Sequence, residues 1–393
     1  MEKKILFLII IATMTLSSLF CMSCTPDDEE KNNDEIVTPD NQNGIPDGTY
    51  VEGKGYYYDS SYYGIDADGN AWYVHSAKQT ITNVTIPEKV VLMGKTYTVT
   101  HVMQHALSGS KELTTVNLPS TITYLGESAF TGCDNLTTIN LPEGITTIRL
   151  YTFHGCKSLK TIVLPQSLTT ISNFAFQGCE QLSSITFPPS LISIGQEAFR
   201  DCNSLDTVII PEGVIDVGLD AFRDCKNLTT ISLPSSMRNY LTPFTGCDAI
   251  TSVNISCWFV AGFGNKVTNV VLNEGVTTIN GNAFKDCKNL HFVAFPSTLF
   301  EIGPSSFQGC TSLTSIVFPE NLMSIYDRAF YDCHNLLSVT SLGATPPSFP
   351  DVTGYPVFDP ETQEKGILYV PSALVDTYKS AEGWRDFKNI VGI

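Results

Sequence analysis

Cysteine, histidine and clustered aspartate could act as nucleophile, metal ligand or general base, and this 393-residue chain places them in patterns that test each possibility. Cys133, Cys156, Cys179, Cys202 and Cys225 are 23 residues apart, Cys247 follows after 22, and Cys287, Cys310 and Cys333 resume the interval of 23. A structural zinc site needs ligands paired at short spacing, and none of these nine belongs to a C-x-x-C pair. His154 lies near Cys156 and His334 beside Cys333, but other intervals fill the same places with unrelated residues, so neither pair forms a Cys/His nucleophile. His101 and His105 are four apart without the intervening Glu of a zinc protease. Asp66, Asp68, Gly69 and Asn70 open like a calcium loop but lack its bidentate Glu, which leaves a hairpin turn. Gly48 to Lys54 fits G-x-x-x-x-G-K, yet Gly55 takes the place of the Ser or Thr that binds magnesium, and no apolar strand precedes it. The expectation is a non-enzymatic protein with no catalytic residue, no metal and no cofactor.

The regular interval makes the cysteines elements of an internal repeat. Phe precedes each by three residues, at Phe130, Phe153, Phe176, Phe199, Phe222, Phe244, Phe284, Phe307 and Phe330, and Leu or Ile follows three after. A branched residue comes at +6, as at Ile139, Ile162 and Ile185, and Pro commonly at +9, from Pro142 to Pro234. The 40-residue gap between Cys247 and Cys287 holds one full unit and a truncated one near 248–272, with Val267, Val270 and Leu272 in strand positions. Upstream, Leu107, Ser110, Leu113 and Val116 form a degenerate unit with Ser in place of Cys, and Ile81, Val84 and Ile86 form one strand more. Twelve strands result.

The Leu-x-x-Ile-x-Leu core matches the strand segment of leucine-rich repeats. Residues 81–342, with their AF-x-x-C signature, resemble the BspA-like leucine-rich repeat family of bacterial surface proteins. The tail Ala344-Thr345-Pro346-Pro347, Tyr369-Val370-Pro371 and Trp384 to Ile393 is similar to the closing segment of many such proteins. The resemblance implies a curved solenoid and a role in adhesion or ligand binding, and it supplies no catalytic residue. The expected fold is a β-rich repeat array of about twelve stacked strands, roughly 55 Å long at the usual strand spacing, between an N-terminal hairpin cap and a C-terminal cap. The boundaries are 49–106 for the N-terminal β cap, 107–342 for the repeats and 343–393 for the C-terminal cap.

Residues 1–24 read as a signal peptide: Lys3 and Lys4 precede an apolar stretch from Ile5 to Phe20, interrupted by Thr and Ser and too broken for a permanent span. Ser23-Cys24 resembles a lipobox, with Cys21 where Leu is usual, and Cys24 is the candidate for lipidation. Asp27, Asp28, Glu29 and Glu30 follow, similar to the acidic signal that sends lipoproteins of gut and oral anaerobes to the outer face of the outer membrane. Residues 25–48 are too polar to bury a core and form an acidic tether. The implied attachment is to the outer membrane, facing outward, through a lipid anchor only.

The net charge is −17, of which 25–48 carry −7 and 49–393 carry −11. A nucleic-acid partner would demand a basic footprint and is excluded. Only 16% of residues are charged, in keeping with a Thr- and Ser-decorated β surface. Strand alternation turns Thr138, Asn140 and Thr161 outward in two uncharged columns, one from Thr115 to Ser338 and the other from Asn117 to Thr340. Aromatics concentrate instead at Tyr50–Tyr73, at the tail, and in the truncated unit, where Trp258, Phe259 and Phe263 are the candidate anchors for a partner. The expected function is recognition of an extracellular protein or glycan by a surface-anchored repeat protein. The competing readings are a glycan-capturing accessory of nutrient uptake and a structural spacer.

Overall fold

The computed structural model describes residue 47 and residues 49–76, 80–237, 243–256, 266–350 and 354–393. Cys24, the signal segment and nearly all of the acidic segment lie outside the described residues, as do Trp258, Phe259 and Phe263.

Seven strands open the described chain: β1 (Tyr50–Val51), β2 (Gly55–Tyr58), β3 (Ser61–Ile65), β4 (Asn70–Ser76), β5 (Asn83–Thr85), β6 (Lys89–Leu92) and β7 (Lys95–Val102). The first four form an antiparallel meander, and the sheet continues in the order β4-β7-β6. Alternation puts Tyr63, Ala71 and Tyr73 into its core. The β6–β7 turn is Met93-Gly94, both with positive φ (53° and 75°), the geometry a two-residue hairpin loop favours. At the β3–β4 turn the Asp66 carboxylate accepts from the amides of Asp68 and Asn70, so the calcium-like motif is a hairpin turn.

Two parallel ladders then run through the repeats. The front ladder starts at β5, which pairs with β8 (Thr115–Asn117), and β8 pairs with Thr138–Ile139. It shrinks to a single bridge at Thr161 and Ser184. From Thr207–Ile209 it widens through Thr230–Leu233, Ser252–Ile255, Asn269–Leu272 and Phe292–Ala294, and a further stretch pairs Ser315–Phe318 with Ser338–Ser341. The back ladder starts at β9 (Tyr124–Leu125), which pairs with β7. It resumes in Thr147–Ile148, Thr170–Ile171, Ser193–Ile194 and Asp216–Val217, and in a second set from Thr278–Ile279 to Ser324–Ile325. Cα partners in both ladders differ by 23 residues in most units, as Thr147↔Thr170 does, but by 17 at Ser252↔Asn269. The shortened unit thus keeps its front strand in register.

The C-terminal segment extends the front ladder as two more parallel rungs, Ile367–Val370 and Asn389–Gly392, in addition to the twelve positions read from the repeat. Two short helices, α1 (Pro360–Lys365) and α2 (Val375–Ser380), cover its end. Trp384 is 1% exposed and donates its indole N–H to the Pro347 carbonyl (2.7 Å), while the buried Tyr378 hydroxyl pairs with Ser341 Oγ (2.7 Å).

Between the ladders lies one continuous core. The repeated Phe residues form a column: Phe130, Phe153, Phe176, Phe199, Phe222 and Phe244 stack successively at 5.1–5.3 Å with interplanar angles of 4–14°. The turn that carries each Phe needs left-handed backbone just before Cys. Gly132, Gly155 and Gly178 supply it in three units, and Asp201 and Asp224 adopt φ near 60° in the next two, a region Asp tolerates better than most residues.

Deleting one ring from the column should cost about 3–5 kcal/mol in Phe176→Ala, because transfer and cavity terms add and both neighbours lose a stacking partner. Thr161→Ala, on the exposed face, should change stability by under ~0.5 kcal/mol. Urea denaturation followed by circular dichroism checks the pair, and equal losses would mean that the column does not dominate.

Candidate functional site

The nine periodic cysteines are all free and buried. Each Sγ of Cys156, Cys179, Cys202 and Cys225 donates to the carbonyl of the Phe in the preceding unit (Phe130, Phe153, Phe176, Phe199) at 3.2 Å. The same bond joins Cys310 to Phe284 and Cys333 to Phe307. Burial pushes the Cys133 and Cys287 thiols up to about 12 and also raises those of Cys156, Cys179 and Cys202. Cys225 is raised by its contact with Cys247 and by burial, and the same contact lowers Cys247. These are inter-unit donors, and those whose pKa is raised are held as thiols, whereas a nucleophile needs the thiolate. The spacing foretold their burial; the donor role required the turn to place Sγ against a carbonyl 26 residues back.

The histidines are equally accounted for by their surroundings. His154 packs edge-on against Tyr151, and burial lowers its pKa. His334 Nδ1 sits 3.1 Å from an Asp359 carboxylate oxygen, while the other oxygen of Asp359 accepts the Glu361 amide and caps α1. Asp332 completes a trio with ligand atoms within 4.8 Å of one another. The pair and the cap explain these positions, and no spacing rule could have joined residues so far apart in sequence.

The front ladder presents the uncharged columns. Thr138, Asn140 and Thr161 are exposed, yet Asn140 is already engaged: its amide donates to the Leu118 carbonyl (2.7 Å) and accepts from the Leu118 amide (2.8 Å). Asn273 similarly donates to Asn254 (2.8 Å) and Ser256 (2.9 Å). Much of the polar face therefore bonds rung to rung and has fewer free groups for a partner.

Apolar side chains share the face with them. Val163, Ile209, Phe292, Val317 and Val391 are exposed, and Tyr369 continues the column on the cap rung. Phe292, Val317 and Leu342, with Ser297, Glu320 and Asn321 at the rim, line a cavity of about 470 Å³, within the size range of ligand sites. Phe292 stood in the first outward column by spacing, and Leu342 continues the Ser338–Ser341 rung, its amide donating to the Phe318 carbonyl (3.2 Å).

The chain matches the model of the BspA type leucine rich repeat region, in six copies, over residues 73–189, 146–260 and 261–344. Among solved structures it is similar to a leucine-rich repeat protein from Bacteroides ovatus, with 22% identity over 86% of this chain and 99% of that one and a TM-score of 0.40. A leucine rich cell surface protein from Faecalibacterium prausnitzii is 21% identical over 87% and 95% of the two chains, with a TM-score of 0.43. A leucine rich repeat protein of T. pallidum is 26% identical over 66% and 91%, with a TM-score of 0.33. No curated protein matches the chain.

At about pH 8 a thiol of pKa about 12 is ionised in roughly one molecule in ten thousand. Iodoacetamide should accordingly leave Cys133 and Cys287 unmodified in the native protein and, because all nine are buried, reach the others only slowly, Cys247 first. All nine should be modified in denaturant without reductant, as mass spectrometry would show. Stable Cys-to-Cys crosslinks would contradict the free-thiol assignment.

Proposed function

Because the chain belongs to the BspA type leucine-rich repeat family, whose members are generally cell-surface proteins, we propose that it is a surface-displayed, non-enzymatic module that binds an extracellular protein through its front ladder. The observation that carries this reading is the apolar group Phe292, Val317 and Leu342 on a sheet face whose outward columns carry no charge, Glu320 standing at its edge. Interface energy concentrates in a few aromatic and apolar anchors seated in pockets, whereas flat Thr and Ser columns offer weak individual hydrogen bonds. Lack of charge on the face means that capture does not rely on electrostatic steering. The segment from Ser256 to Lys266, with Trp258, Phe259 and Phe263, is the second proposed anchor, since it interrupts a regular array.

Display requires attachment, and Cys24 is the proposed acylated residue, followed by the acidic run that directs the protein outward. Among the described residues no helix is long and apolar enough to cross a membrane.

An array of host extracellular proteins and glycans probed with the purified protein identifies the partner. Phe292→Ala with Val317→Ala should then weaken binding by ~2 kcal/mol or more, about thirtyfold, with Trp258→Ala plus Phe259→Ala as a parallel arm. Thr138→Ala with Thr161→Ala should cost under ~1 kcal/mol. A loss confined to the Thr pair would transfer the role to the polar columns, and no protein signal on the array would favour the spacer. Separately, metabolic labelling with a fatty acid should lose its signal in Cys24→Ala; undiminished label would place the anchor elsewhere.

A further inference from the structure

Aromatic side chains at the start of the array follow two different fates. Ala71 and Tyr73 on β4 are 0% and 1% exposed, so Trp72 between them faces the opposite side of the sheet. The pairing register sets Trp72 beside His101 on β7 and His101 beside Tyr124 on β9, which puts three rings in one cross-strand row. The His101 and Tyr124 rings are 5.1 Å apart, and the Arg149 guanidinium lies 4.3 Å over the other end of the row. Further along the back ladder the same position holds Thr147, Thr170, Ser193 and Asp216. A platform of rings thus exists at this end and not in those rungs.

The pose of the indole depends on Gly64: a Cβ there would fall 1.9 Å from Trp72 Nε1. Trp72, His101 and Tyr124 line a cavity of about 330 Å³ together with Asp66, Met103 and Gln104. Its volume is at the lower end for ligand sites. The Asp66 carboxylate is oriented by donors from Asp68 N (2.9 Å), Asn70 N (2.8 Å) and Asn70 Nδ2 (3.0 Å), which hold it ionised. His101 is tied at Nδ1 to Thr100 Oγ1 (2.8 Å), and burial favours its neutral form.

An aromatic wall, a fixed acceptor and an exposed amide suit a molecule with one apolar face and a rim of hydroxyls. We propose that Trp72, Tyr124 and Asp66 form a site for one neutral pyranose unit, free or at the end of a glycan. The C–H face of the ring packs on Trp72 with Tyr124 forming the adjoining wall, and hydroxyls donate to Asp66 and bond Gln104. An acidic sugar would meet the Asp66 charge, while the Arg149 guanidinium is already placed over Tyr124. The site lies on the opening sheet where the back ladder begins, and stands apart from the protein-binding reading of the front face.

Saturation-transfer NMR on the purified full-length protein tests this with millimolar methyl β-glucopyranoside, methyl β-galactopyranoside and methyl α-mannopyranoside, glucuronic acid being the charged control. Transfer to the ring protons of at least one neutral pyranoside is expected, with affinity falling about tenfold or more in Trp72→Ala and Tyr124→Ala. Gln104→Ala, at an exposed side chain, keeps the test decisive if an aromatic variant fails to fold, and it should weaken binding measurably. Phe292→Ala should leave transfer unchanged, which separates this site from the front face. No transfer from any neutral pyranoside, transfer from glucuronic acid alone, or transfer indifferent to these folded cavity variants would overturn the proposal.

Discussion

Everything in the array depends on one constraint: a single unit has no interior, so each apolar edge must be buried by the units before and after it. Parallel strands set a spacing of ~4.8 Å, and the Phe column accommodates it with rings 5.1–5.3 Å apart. Because the two spacings nearly agree, identical residues can occupy identical places in successive units. The cysteine thiols add a directed bond between neighbours without a disulfide. That choice suits the geometry, since the same stacking that brings a thiol to a carbonyl holds equivalent Cβ atoms further apart than a relaxed disulfide prefers.

The interruption near 248–272 shows which part of the unit is indispensable. Ser252–Ile255 and Asn269–Leu272 remain paired over a 17-residue step, and the front ladder passes through. Among the described residues the back ladder falls into sets on either side of this region. A shortened unit therefore still pairs its front strand with both neighbours. The C-terminal segment obeys the same requirement: two further rungs pair the last open edge, and Trp384, Phe358 and Phe387 fill the space beneath them. An uncovered end of such a ladder would template association with other chains.

Polarity is apportioned along similar lines. The front face carries no charge, and side chains such as Asn140 spend their hydrogen bonds on the adjacent rung. Charges gather at the turns, where Arg200 meets Glu197 (2.8 Å) and Arg223 meets Asp224 (3.1 Å) and Asp220 (3.3 Å). Exposed pairs of this kind add little stability. They do leave the sheet face to uncharged side chains, and this gives Phe292 and Val317 their weight as prospective contacts.

Much of the fold was legible in the sequence, because a periodic chain states its contacts by its period. Residues 23 apart are neighbours, so the Phe and Cys positions, their burial and the outward direction of Thr138 and Thr161 all followed from spacing and strand alternation. Reading stopped where periodicity did. The pairing of Trp72 with His101 and Tyr124 depends on an irregular register at Ala71/Trp72, and the place of the cap strands depends on loops of unrelated length. The meeting of His334 with Asp359 likewise joins a residue of the last repeat to one of the cap, with no common period. The sequence by itself determined the repeating unit and its core, since local pattern dictates which edge must be buried. Tertiary structure alone decided which exposed side chains meet across those edges, since that depends on register and turn geometry that no single unit encodes.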